Sequence, residues 1–192
     1  MKKIVLASGS PRRRELLSQL GVDFEVWRGN IKENNDSKEA PECVAMSLAL
    51  QKGLEASLHF DDSIIIAADT IVVCDDTILG KPVDADDAYR MLKLLSGREH
   101  QVITGFALID LDRKLKIVDY ERTLVTFNEL SENMIQSYID TGEVFDKAGS
   151  YAIQGKGALI VKSLQGCYFN IVGFPISKIG RYLDSYFGLK LL

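Results

Sequence analysis

Ile4-Val5-Leu6-Ala7-Ser8-Gly9-Ser10-Pro11-Arg12-Arg13-Arg14 is the stretch whose reading decides the fold. Its first four residues form an apolar run short enough to be one buried strand. Ser10 stands where a helix N-cap belongs, and Pro11 suits the first helical position because its fixed φ already matches the helix. Leu16, Leu17 and Leu20 follow at helical spacing and Gly21 supplies a stop. The segment therefore predicts strand, tight turn, helix. Three arginines crowd the opening turn, where the helix dipole already presents about half a positive charge. An anion such as a phosphate turns that repulsion into a site built of amide N–H groups, hydroxyls and guanidinium forks. The alternative is a solvated basic helix end.

Further along, 41–58 reads as a helix with Val44, Leu48 and Leu54 among its apolar positions, and Ser63–Val73 as a buried strand interrupted by Asp69 and Thr70. Asp84, Asp86 and Asp87 open a helix that Gly97 ends, with Ala88, Met91, Leu92 and Leu95 as its apolar stripe. Two strands, 101–110 and 115–127, flank a polar turn at 110–114. Ser131 caps a further helix that stops at Gly142. A glycine-rich segment, 149–157, leads into a strand at Ala158–Val161, and the last helix runs from Pro175 to Phe187. Strands alternating with helices, with one hairpin, predict an α/β protein with a mixed sheet and flanking helices.

The chain has 192 residues, a formal net charge of −4 and three cysteines far apart with no CxxC pair. That charge argues against nucleic acid or an anionic membrane as the partner, so any basic surface must be local. No apolar run reaches membrane-spanning length and the four apolar residues between Lys3 and Ser8 are too few for a secretory signal, so a cytoplasmic location with reduced thiols is expected. With only His59 and His100, a Cys/His zinc site is not expected.

Asp69 is the sharpest single residue. A carboxylate among Ile64, Ile65, Ile66, Ile71, Val72 and Val73 needs a strong reason to be charged. It is either a core Asp satisfied by backbone amides or a metal-ligating or general-base carboxylate at a strand end facing a cleft. Gly80-Lys81-Pro82 projects one lysine from a turn. Glu143, Asp146, Lys147 and Gln154 lie among glycines that let backbone approach a ligand, and Gln154 can both donate to and accept from a nucleobase edge. His100 reads as a polar surface or core-edge residue.

Taken in order, Leu6–Arg13, Ala68–Val72, Gly80-Lys81-Pro82, Ser96–Thr104, Asp146–Gly149, Ile153-Gln154-Gly155 and Val172–Pro175 resemble the Maf family of nucleotide pyrophosphatases. The resemblance spans about residues 4–180 and implies one domain over 1–192. It implies an elongated α/β fold shared with inosine-triphosphate pyrophosphatases, two lobes around a cleft, and hydrolysis of a nucleoside triphosphate to monophosphate and pyrophosphate. By the same resemblance Ser8 and Arg13 match phosphate-binding positions and Asp69 the catalytic base. Glu33, Lys52, Lys81, Glu143, Asp146 and Lys147 match the family's acids and lysines. Arg12, Thr70 and Gln154 resemble the specificity set of members acting on dTTP and UTP; the branch acting on 7-methyl-GTP differs there. Ser8, Arg13, Lys52 and Lys81 would grip the triphosphate, while Asp69 with Glu33 or Glu143 would bind Mg²⁺ or Mn²⁺ or orient the attacking water. A homodimer is implied as well. Val144 stands where a proline is usual and Phe174 where a leucine is usual. Two other readings remain: a nucleotide-binding regulator of septum formation, and hydrolysis mainly of modified nucleotides.

Overall fold

The computed structural model describes residues 2–29 and 39–191. Glu33, an expected catalytic and metal-binding acid, lies outside the described residues. The architecture is mixed α/β. The strands are β1 (Lys3–Ala7), β2 (Glu25–Trp27), β3 (Ser63–Cys74), β4 (Thr77–Leu79), β5 (Glu99–Asp110), β6 (Leu115–Phe127) and β7 (Val161–Gln165). The helices are α1 (Pro11–Ser18), α2 (Pro41–Ser57), α3 (Ala85–Leu95), α4 (Glu132–Ile139), α5 (Tyr168–Val172) and α6 (Ile176–Tyr182). Sheet order is β2-β1-β3-β5-β6-β7, with β4 paired to β3.

The chain divides into two compact units. The first comprises residues 1–69, 104–121 and 173–192, and the second 70–103 and 122–172. Strands β3, β5 and β6 each contribute residues to both.

In the first unit β1 pairs in parallel with β2 and with β3, in register Val5 with Glu25 and Ile65. Val5, Ala7, Ala56, Ile65, Ala67, Ala107 and Ile109 form its apolar cluster. Helix α2 covers these strands through small residues: Ala45, Ala49, Gly53 and Ala56 are buried, whereas Leu54, expected on the apolar face, is 37% exposed. The contact is very close. A Cβ on Gly105 of β5 would stand 2.3 Å from the Ala45 carbonyl.

In the second unit β4 returns antiparallel to β3 through Asp75-Asp76. Both have positive φ, 48° and 62°, as a two-residue type I′ hairpin requires. β7 pairs antiparallel with β6. Helices α3 and α4 pack Leu92, Leu95, Ile135 and Ile139 with Val72, Val125, Phe127 and Val144 into this unit's core. Asp84 and Ser131 cap α3 and α4, accepting from the Asp87 amide at 2.8 Å and the Met134 amide at 3.3 Å.

Four expectations change. Ser10 occupies the N-cap of α1 without a side-chain cap bond; its amide instead donates to Ser8 Oγ at 3.2 Å. The expected strand at Ala158–Val161 is a 3₁₀ turn over Gly155–Leu159, and β7 starts at Val161. The last helix ends at Tyr182, and Leu183–Phe187 forms a π turn closed by Gly188 at φ 69°. Strands β2 and β4 and helix α5 were not expected at all.

Candidate active site

Site residues of the first unit gather around Arg13. Helix α1 turns its Leu16, Leu17 and Arg13 inward, so the guanidinium is carried inside with the apolar face and Arg13 is only 8% exposed. A buried guanidinium needs acceptors, and it has them. Its Nε donates to the Gly173 carbonyl at 2.6 Å, and Nη1 donates to the Ala68 carbonyl at 2.8 Å and to Ser8 Oγ at 3.1 Å. Burial pulls the Arg13 pKa below its ordinary value; the negative charge of Asp69 opposes that, and Arg12 adds to it. Arg12 is half-buried and Arg14 exposed.

Asp69 follows the Ala68 carbonyl directly. It lies inside β3 rather than at a strand end, because the strand continues through Thr70 to Cys74. Its side chain is 15% exposed, and its Oδ1 accepts from Nζ of Lys52 on α2, whose side chain is 21% exposed. Opposite charges here are held on a helix and a strand packed through alanine and glycine, so the pair has little freedom. Thus Ser8, Arg13, Asp69 and Lys52 form one connected assembly. It joins the β1–α1 turn, the middle of β3, α2 and the backbone before Phe174, itself fully buried.

The second unit holds Thr70, Lys81, Glu143, Asp146, Lys147 and Gln154. Lys147 Nζ donates to the Glu143 carbonyl at 2.6 Å and pairs with the Asp146 carboxylate. The Glu143 carboxylate lies against Gly155, where a Cβ would come within 3.1 Å of both oxygens; Gly155 has φ 63°. Gln154 just before it is exposed and extended, at φ −97° and ψ 169°. Lys81 is exposed after β4, and its turn is tied to the same loop because the Gly149 amide donates to the Gly80 carbonyl at 3.0 Å. Val144, in the position where a proline is usual, is fully buried. Thr70 is half-buried.

Sequence reasoning missed the role of Gly173, whose carbonyl holds Arg13 from 160 residues away. It missed the Lys52–Asp69 pairing as well. His100, expected at a surface or core edge, is 2% exposed and shares a 2.7 Å hydrogen bond with the Tyr151 hydroxyl. Among the described residues no three His, Cys, Asp or Glu side chains gather as a metal cluster, and no helix is long and apolar enough to cross a membrane.

A family model described as "Maf-like protein" matches residues 3–186. A dTTP/UTP pyrophosphatase of Alkaliphilus oremlandii is 55% identical, with 100% of each chain covered. A protein of the same name from Ruminiclostridium cellulolyticum is 50% identical, with 96% of each covered. Among solved structures, the Staphylococcus aureus Ham1 protein aligns with a TM-score of 0.48 and 14% identity, over 66% of this chain and 72% of that one.

Proposed function

The chain belongs to the Maf-like family, and from that premise we propose that it hydrolyses dTTP and UTP to the nucleoside monophosphate and pyrophosphate. The substrate assignment is supported by the names of relatives that are half or more identical along nearly the whole chain. The observation that carries the chemistry is the Ser8–Arg13–Asp69–Lys52 assembly: a carboxylate paired with Lys52 and felt electrostatically by Arg13, whose guanidinium holds the Ser8 hydroxyl. Cleavage between the α- and β-phosphates needs water aimed at phosphorus and positive charge around a pyrophosphate leaving group; no covalent protein nucleophile is required.

In this proposal Asp69 orients the attacking water and takes its proton. Ser8, Arg13, Lys52 and Lys81 hold the phosphates, with Lys81 also serving the leaving group. Glu143, Asp146 and Lys147 bind substrate, and Arg12, Thr70 and Gln154 select the pyrimidine. Residues 1–192 act as one functional domain. A divalent cation fits the donor set: Mg²⁺ and Mn²⁺ take hard carboxylate oxygens, one or two from protein with the rest from water and phosphate, and Asp69 offers such oxygens, with Glu33 as the second acid. When bound, that cation would neutralise charge building on the phosphate oxygens. A homodimer, on the strength of the family resemblance, and a cytoplasmic location, on the strength of the scattered cysteines, complete the proposal.

The test is pyrophosphate release by purified protein with Mg²⁺ or Mn²⁺ across canonical nucleotides, modified pyrimidines and 7-methyl-GTP. Release chiefly from dTTP and UTP is expected. No release from any nucleotide would overturn the proposal in favour of a binding module, and release chiefly from modified bases would overturn the substrate assignment.

A further inference from the structure

The segment carrying Gln154 is held from inside the second unit by bonds that the proposed chemistry does not use. Gly149 and Ser150 both have positive φ, 67° and 63°. For serine that conformation is strained and persists only where the surroundings enforce it. Ser150 is fully buried, with its Oγ 3.1 Å from Met91 Sδ. A Cβ on Gly149 would press on Val72 at about 3 Å, its nearest atom being 2.9 Å away. The chain then runs extended. Tyr151 and Ile153 point inward at 5% and 8% exposure, and Gln154 faces outward, the alternation of a strand.

Two buried side chains fix this stretch directionally. The Ala152 amide donates to the Tyr138 hydroxyl at 3.1 Å, and the Tyr151 hydroxyl shares its 2.7 Å bond with His100 Nε2. Phe127 stands edge-on to both the His100 and Tyr151 rings, with centroids 4.8 Å and 4.7 Å away. The aromatic contacts enclose the Tyr151 ring, and the His100 bond adds the directional constraint that packing lacks, three residues before Gln154.

We propose that His100 and Tyr151 are positioning residues for base selection, holding the 151–154 segment so that Gln154 is presented in one place. This rests on the reading of Gln154 as a base-selecting residue. Neither His100 nor Tyr151 needs to touch the nucleotide.

The cleanest probe is Tyr151→Phe, which deletes one oxygen and keeps the ring. A buried hydrogen bond of this kind is worth about threefold to tenfold in an equilibrium. The expected result is therefore a KM for dTTP raised by about that factor, kcat changed by less than about twofold, and an equal fall in the dTTP-over-dCTP ratio of kcat/KM. Amide hydrogen exchange across 151–155 should quicken by a similar factor. His100→Phe should do the same, and the double variant should add little beyond either single change. Unchanged KM, base ratio and exchange in a folded Tyr151→Phe protein would overturn the proposal, as would an equal loss of kcat on every nucleotide. Gln154→Ala separates the two ideas. If it lowers the base ratio while Tyr151→Phe does not, the positioning role alone falls; if it leaves the ratio unchanged, the base-selecting reading falls and takes the positioning role with it.

Discussion

Replacing Arg13 by methionine keeps much of the side chain's length and apolar stem while deleting every donor. Three hydrogen bonds disappear: Nε to Gly173 at 2.6 Å, Nη1 to Ala68 at 2.8 Å and Nη1 to Ser8 at 3.1 Å. Ala68 is fully buried and Gly173 is buried too, so water cannot readily replace the lost donors at their carbonyls. A hydrogen bond from a charged donor contributes about 1.5–3 kcal/mol, and a buried acceptor left without its donor costs about 1–3 kcal/mol. With two buried carbonyls left unpaired, and bonds that share one guanidinium and so are not additive, a loss of about 3–5 kcal/mol is expected. A loss of about 3–5 kcal/mol is large beside the roughly 5–15 kcal/mol stability of a typical domain. It corresponds to a fall in Tm of roughly 6–20 °C for a chain of this size. Urea unfolding followed by circular dichroism, together with calorimetry, measures both quantities. Arg13→Lys keeps the charge without the planar fork and should fall between wild type and Arg13→Met. A methionine variant within about 1 kcal/mol of wild type would refute the reasoning, since it would mean that the guanidinium braces nothing.

Gly105→Ala should destabilise by about 3 kcal/mol or more, because its Cβ would enter the Ala45 carbonyl, a backbone group that cannot swing away; a Tm unchanged by the substitution would show that α2 does not pack as described. His100 gives a pH signature. Burial lowers its pKa from 6.5 to about 4, so the folded protein keeps it neutral where the unfolded chain takes up a proton. Its contribution is complete above pH 6.5 and is lost as pH falls towards 4, amounting to roughly 3 kcal/mol at about 1.4 kcal/mol per pKa unit. Stability curves of wild type and His100→Phe should therefore converge or cross on acidification over that window, and parallel curves would contradict a buried neutral histidine.

Much of this molecule was legible from local pattern. The β1–α1 turn, the acidic opening of α3 from Asp84, the Ser131 cap of α4 and the apolar stripes of α3 and α4 follow from residue spacing alone. What escaped was short or non-local. Glu25-Val26-Trp27 is too brief and polar to read as a strand, and becomes one only by pairing with Val5–Ala7. Asp75-Asp76 carried a usable hairpin signal, since Asp tolerates positive φ. The 3₁₀ turn before β7 depends on Gly157, where a Cβ would sit 2.0 Å from the Ala152 carbonyl oxygen, a contact no periodicity reveals. At the site, residue types were readable while their partners were not. Lys52 and Asp69 meet because a helix lies on a strand, and Arg13 finds Gly173 across 160 residues. The three arginines at the start of α1 separate into one buried brace, one half-buried neighbour and one exposed side chain.

The central claim, water attack between the α- and β-phosphates directed by Asp69, is tested most directly by phosphorus NMR. dTTP would be incubated with the purified protein and Mg²⁺, beside an Asp69→Asn control. The account predicts dTMP and pyrophosphate in equal amounts, with turnover in the Asn variant reduced by about a hundredfold or more. Formation of dTDP and orthophosphate, or an Asp69→Asn protein as fast as wild type, would contradict it.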